Sequence, residues 1–372
     1  MKYVDEFRNA AACKELAAEI GRAAAEIGRA AAKSDRAARL RFMEVCGGHT
    51  TAIHRFGIPG LLPDRIEMLS GPGCPVCVTP TTYLDRAIEL AAKPNVTLTT
   101  FGDLYRVPGA AETLEDASSG GADVRVVYSA RDALKLAEEN PNREVSFLAI
   151  GFETTAPGTA ATILEAHSKG VRNFRVLSGH KTMPEALRAL VSAPEVALDG
   201  FMLPGHVSTI TGPEPYEFLP REFGMACCVT GFEPTDILMA IRALVRQVVE
   251  CKPAVENQYR RAVRSGGNPR AREIVYEVFE PADAQWRGIG LIPGSGLAIR
   301  DRWATYRIEP PDPAIPSAEY KACRCAQVLR GLVRPPDCPL FGKACVPDSP
   351  VGPCMVSSEG ACAAYYKYGG RH

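Results

Sequence analysis

Between residue 41 and about residue 251 the chain repeats one unit. A short apolar run gives way to a turn rich in glycine or proline, and a helical stretch follows. The runs lie at 41–45, 66–69, 96–101, 124–128, 145–150, 174–177, 200–203 and 225–229. Neighbouring parallel strands need a crossover between them, and a helix is the usual one. Strand, turn and helix in repetition therefore predict parallel sheets with helices on both faces. In such sheets ligands bind beyond the carboxyl ends of the strands. The unusual residues of this chain sit at those ends.

The length of 372 residues suits two or three domains. We divide the chain into a helical segment at 1–40, α/β units at 41–143 and 144–252, and a connector with a C-terminal cysteine-rich domain at 253–372. Residues 4–38 are rich in alanine, glutamate, lysine and arginine and read as helix. They contain a tandem heptapeptide, EIGRAAA from Glu19 and again from Glu26. It reads either as a partner-binding face or as a duplicated solvated helix. The connector holds a basic stretch at 259–264 read as helix, a Gly-Gly-Asn-Pro turn from Gly266 to Pro269, and a proline-rich run at 310–316.

Lysine plus arginine and aspartate plus glutamate both total 43, so no basic surplus points to nucleic acid. The apolar runs are strand-sized, too short to span a bilayer. The N-terminus, MKYVDEFRNA, is unlike a signal peptide. The cytoplasm is the expected compartment. Neither GxxxxGK[ST] nor a GxGxxG following a strand is present, so neither nucleotide fingerprint is available.

Three cysteine groups carry the chemistry. Cys46-Gly47-Gly48-His49-Thr50 puts a thiol where a strand passes into a helix. The helix dipole should lower its pKa and favour the thiolate, which attacks electrophiles and binds metals. His49 is available as acid, base or hydrogen-bond donor. Cys74-Pro75-Val76-Cys77 is a C-x-x-C pair, read as an exposed redox dithiol in preference to half a zinc site. The tail holds Cys323, Cys325, Cys338, Cys345, Cys354 and Cys362. An odd total of 13 cysteines argues against a complete disulfide framework. The gaps within Cys325, Cys338, Cys345 and Cys362 are wide for a zinc knuckle and suit an iron–sulfur cluster, with zinc left open. Cys13, Cys227, Cys228 and Cys251 read as packing residues. Gly-His recurs at Gly48-His49, Gly179-His180 and Gly205-His206, and GFETT at Gly151 is echoed by GFEPT at Gly231. The three histidines either cap loops or share one cleft.

MEVCGGHT, SGPGCPVCVTP, AIGFETTAPGTA, LPGHVSTITG and the tail CPLFGKAC…GPCMVSSEGACAAYYKYG occur in this order between about Met43 and Tyr368. Together they resemble the HypD family of [NiFe]-hydrogenase maturation proteins. The resemblance implies two Rossmann-like α/β domains and a third, small domain bearing a [4Fe-4S] cluster. It implies a cytoplasmic scaffold that assembles the Fe(CN)2CO group, sharing the iron with a HypC-type chaperone and receiving cyanide from a HypE-type donor. Carried over, Cys46 holds the iron and His49 is its essential neighbour. Cys74 and Cys77 form the redox pair. Cys325, Cys338, Cys345 and Cys362 hold the cluster, with Cys323 and Cys354 spare. His206 and Glu359 match positions near the cleft and the cluster. Thr51 departs from the family's CGGHTH, which puts in doubt any role of a second imidazole there unless another group such as His54 takes it. Two other classes compete. A freestanding thiol–disulfide oxidoreductase would work without Cys46, and a structural zinc protein would be colourless.

Overall fold

The computed structural model describes residues 5–31, 39–318, 320 and 322–369. Two five-stranded parallel sheets dominate it. The strands are β1 (Leu40–Glu44), β2 (Ile66–Ser70), β3 (Val96–Thr100), β4 (Val124–Val126), β5 (Glu144–Gly151), β6 (Phe174–His180), β7 (Gly200–Leu203), β8 (Ala226–Val229), β9 (Val255–Asn257), β10 (Phe279–Trp286), β11 (Gly290–Ile299) and β12 (Arg307–Ile308). Every apolar run between residues 41 and 229 is a strand, within a few residues at its ends. The continuous apolar character of β5 and β7 reflects strands with both faces covered, as parallel sheets require.

The division at 143/144 does not survive. The first sheet has the order β2-β1-β7-β8-β9 and the second β12-β6-β5-β3-β4. The chain leaves the first sheet after β2, builds most of the second, and returns to set β7 beside β1. A strand–helix unit looks the same whichever sheet it joins, so a linear reading assigns it to its neighbours in sequence. The region after residue 252 is not a mere connector either. It gives β9 to the first sheet, β12 to the second, and an antiparallel β10–β11 hairpin. The stretch at 259–264 forms turns rather than a helix.

The helix Ala10–Ala31 packs on the helix Pro234–Glu250. Cys13, Ile20 and Ala24 are buried there in one cluster with Ile237, Ile241 and Leu244. The first heptapeptide therefore packs on the sheet layer through its isoleucine, and is not a freely solvated helix. Residues 32–38 of the expected helix and the end of the second heptapeptide lie outside the described residues. Cys227 and Cys228 on β8 are packing residues, as expected. Cys251 is exposed instead, at the left-handed end of Pro234–Glu250 with φ of 52°. Among the described residues, no helix is long and apolar enough to cross a membrane.

Candidate functional site

Cys46 follows β1, which lies between β2 and β7. It is the extended residue that opens the helix Gly47–Arg55. The loop after β2 closes over it. Gly71 N donates to Glu44 O at 2.8 Å and Gly47 N to Gly73 O at 3.0 Å. A Cβ on Gly73 would overlap the Cys46 amide nitrogen, so only glycine permits this approach. The same loop then starts the short helix Pro75–Val78, where Cys74 accepts from Cys77 N at 3.2 Å. Cys74 and Cys77 are joined as a disulfide. Both are buried, not exposed as the flanking prolines and glycines suggested, because those glycines let the loop pack directly onto β1 and its turn.

His49 reaches across to the ends of β7 and β8. Its Nε2 lies 3.2 Å from Thr230 O and 3.1 Å from Gly231 O. Two carbonyl partners require Nε2 to carry the proton, which leaves Nδ1 as an acceptor. Nδ1 is buried and has no partner. Phe232, from the GFEPT echo, stacks on His49 at 4.5 Å and on His206 at 4.0 Å between ring centroids. Two of the three Gly-His pairs thus share a cleft. His180 does not join them. It ends β6 in the other sheet, 3.1 Å from Thr159 Oγ1 and edge-on to Phe279.

Glu359 arrives from the C-terminal segment and lies against Gly47, where any Cβ would overlap it. Its loop is tied down by Ser357 and Ser358 hydroxyls donating to Asp103 at 2.9 and 3.3 Å. The Thr51 hydroxyl donates to Ser358 O at 3.2 Å, so the position that departs from the family pattern tethers the tail. His54 packs its ring 3.9 Å from that of Tyr365. Glu44, which the sequence reading passed over, accepts from Cys46 N at 3.1 Å and from the Thr50 hydroxyl. The sequence signal was a carboxylate inside an apolar strand run.

Burial decides the electrostatics. The helix start was expected to lower the Cys46 pKa. Burial instead pushes the thiol up to about 12, helped by the Glu359 carboxylate, against weaker pulls from the amides of Gly48 and His49. Burial lowers His49 to about 3, so the ring is neutral at pH 7. It raises Glu44 to about 7, opposed by hydrogen bonds from Thr50 and Cys46.

The six tail cysteines line one small apolar cavity. Cys325 is in a disulfide with Cys354. Cys338, Cys345 and Cys362 are buried and carry no disulfide. Burial first, and then the fields of Cys323, Cys345 and Cys338, push the Cys362 thiol up. The expected quartet of Cys325, Cys338, Cys345 and Cys362 thus lines this cavity, together with Cys323 and Cys354. Among the described residues, no three His, Cys, Asp or Glu stand as a single-ion site. One zinc would draw its sulfurs to about 2.3 Å from itself. Cysteine sulfurs around a shared apolar cavity suit a larger, thiolate-bound body such as an iron–sulfur cluster. The short helix Pro353–Val356, carrying Cys354, packs on Pro75–Val78, carrying Cys77. The two disulfides thus sit on facing elements.

Glu153 of the GFETT motif follows β5 and has a different role from its echo. Its Oε1 accepts from Met183 N at 2.9 Å, while the buried Oε2 has no partner. Burial raises its pKa from 4.5 to about 7. A carboxyl raised on folding supports the fold fully below pH 4.5 and loses that support as pH rises through 7. Glu153→Gln should therefore be more stable than the parent at pH 8, by about 3 kcal/mol at most, and no more stable at pH 4.5. Urea unfolding at the two pH values checks this.

The model of the HypD family, described as "Hydrogenase formation hypA family", matches residues 19–369. The hydrogenase maturation factor HypD of Azotobacter vinelandii is 48% identical over 378 residues, covering 99% of this chain and 97% of that protein. Hydrogenase maturation factor HypD2 of Bradyrhizobium diazoefficiens is 47% identical over 379 residues, covering 99% and 97%. The HypD of Escherichia coli K12 is 43% identical over 372 residues, covering 99% and 98%.

Proposed function

The chain belongs to the HypD family of hydrogenase maturation factors, and we propose that it is the cytoplasmic scaffold on which the Fe(CN)2CO group of a [NiFe]-hydrogenase is assembled. The iron with its cyanide and carbonyl ligands is the substrate. Cys46 holds it, sharing it with a cysteine of a HypC-type chaperone, and a HypE-type protein delivers the cyanide. The observation that carries this reading is the convergence of Cys46, His49, His206, Glu359 and the Cys74–Cys77 pair at the ends of β1, β2, β7 and β8.

Burial keeps the Cys46 thiol protonated until a metal competes for the sulfur, so iron capture releases a proton. Glu44, hydrogen-bonded to the Cys46 amide and held at about 7, is the base at hand for it, since His49 stays neutral. A soft thiolate suits low-valent iron, and the buried loop excludes water. The Cys74–Cys77 pair stores electrons two at a time. A [4Fe-4S] cluster held by Cys325, Cys338, Cys345 and Cys362, with the Cys325–Cys354 bond open, would supply electrons singly. The deep burial of the C-x-x-C pair counts against a freestanding oxidoreductase, whose dithiol must meet outside substrates.

Anaerobic purification with iron, sulfide and zinc analysis tests the reading. We expect a brown protein absorbing near roughly 400 nm, with about four iron and four sulfide per chain. A colourless protein holding stoichiometric zinc would remove the redox half of the proposal.

A further inference from the structure

Arg287 lies in the turn between β10 and β11 and is completely buried. Its backbone N–H donates to Val78 O at 2.9 Å and its Nε to Thr79 O at 2.8 Å. These are the residues immediately after Cys77, so the guanidinium sits at the exit of the C-x-x-C helix. Its Nη1 and Nη2 have no hydrogen-bond partner among the described residues. The Tyr320 ring lies 5.1 Å from the guanidinium carbon, and its hydroxyl, which donates to Pro108 O, faces the guanidinium as a neutral dipole without a counter-charge. Capping the short helix accounts for one N–H and leaves the rest of the fork idle. Arginine cannot shed its proton. A buried, permanent cation that is unpaired among the described residues calls for an anion.

Reduction of the neighbouring disulfide creates one. We propose that Arg287 is the internal counter-charge of the reduced Cys74–Cys77 pair, and that it makes this disulfide easier to reduce. The inference rests on the reading of Cys74–Cys77 as a redox pair. In the step, the Cys74–Cys77 S–S bond breaks and accepts two electrons from a dithiol reductant, which closes its own disulfide. Of the reductant's two protons, one stays on one sulfur and the other passes to solvent. The second sulfur remains a thiolate facing the positive field. A cation that stabilises the reduced form moves the equilibrium toward dithiol. Without it, a pair this deeply buried would resist forming any charge.

The test uses the full chain, anaerobically, in dithiothreitol redox buffers. Differential alkylation and mass spectrometry read the Cys74–Cys77 couple. Arg287→Gln should shift the disulfide:dithiol ratio at a fixed poise at least tenfold toward disulfide, about 30 mV for a two-electron couple. Arg287→Lys, which keeps the charge, should stay within about threefold of the parent. Should the glutamine variant not fold, the parent protein still decides the matter through alkylation rate against pH. One thiol of the reduced pair must then ionise below the ordinary value of about 8.5. Both thiols ionising at or above it, or a folded Arg287→Gln titrating with the parent, would overturn the assignment while leaving the redox reading intact. A couple that does not titrate at any poise would overturn both.

Discussion

Cys338→Ala is expected to lose the tail's iron and sulfide together with its visible absorbance, while Cys251→Ala keeps all three. Cys338 lines the cysteine cavity, whereas Cys251 is exposed at the end of Pro234–Glu250. Removing one of four thiolates should take cluster occupancy from about four iron per chain to near background. Iron and sulfide analysis with the visible spectrum reads both variants. A Cys338→Ala protein that keeps its iron and sulfide would remove Cys338 from the cluster's ligands.

Cys46→Ala should abolish retention of the iron substrate and leave the tail cluster intact. The loss should be on the order of a hundredfold or more, since even supporting residues around a metal ligand are worth ten- to a hundredfold. Infrared bands of metal-bound cyanide and carbon monoxide on the co-purified chaperone complex would report the first site. The visible spectrum would report the second. Loss of both signals together would mean that the sites are not separate. The structure argues for separation. Cys46 is held by Glu44 and closed over by Gly73, neither of which lines the cysteine cavity.

Much of the site was legible because its parts are local. CGGH and CPVC each fall where an apolar run breaks into glycine, and both lie at strand ends. The GFETT and GFEPT echo was visible as repetition, yet its meaning was not. Phe232 stacks between two histidines, while Glu153 is a buried carboxyl with an oxygen to spare. Similar local sequence meets different neighbours, and the neighbours set the chemistry. Burial likewise reversed the expectation for Cys46. A helix start acts over one turn, but desolvation depends on everything packed around the sulfur. Glu44 escaped notice because its partners, the Cys46 amide and Thr50, become partners only once the β1 turn is closed.

By itself the sequence determined which segments are strands, that the sheets are parallel, and which loops carry thiols and imidazoles. Those properties follow from hydrophobic runs, turn residues and motifs a few positions long. Only the tertiary structure decided that the chain crosses between its sheets and returns, that His206 and not His180 joins His49, and that all six tail cysteines line one cavity. Each of these is a pairing of residues far apart in the chain. Such pairings are selected by burial and shape across the whole core, and a local pattern is compatible with several of them.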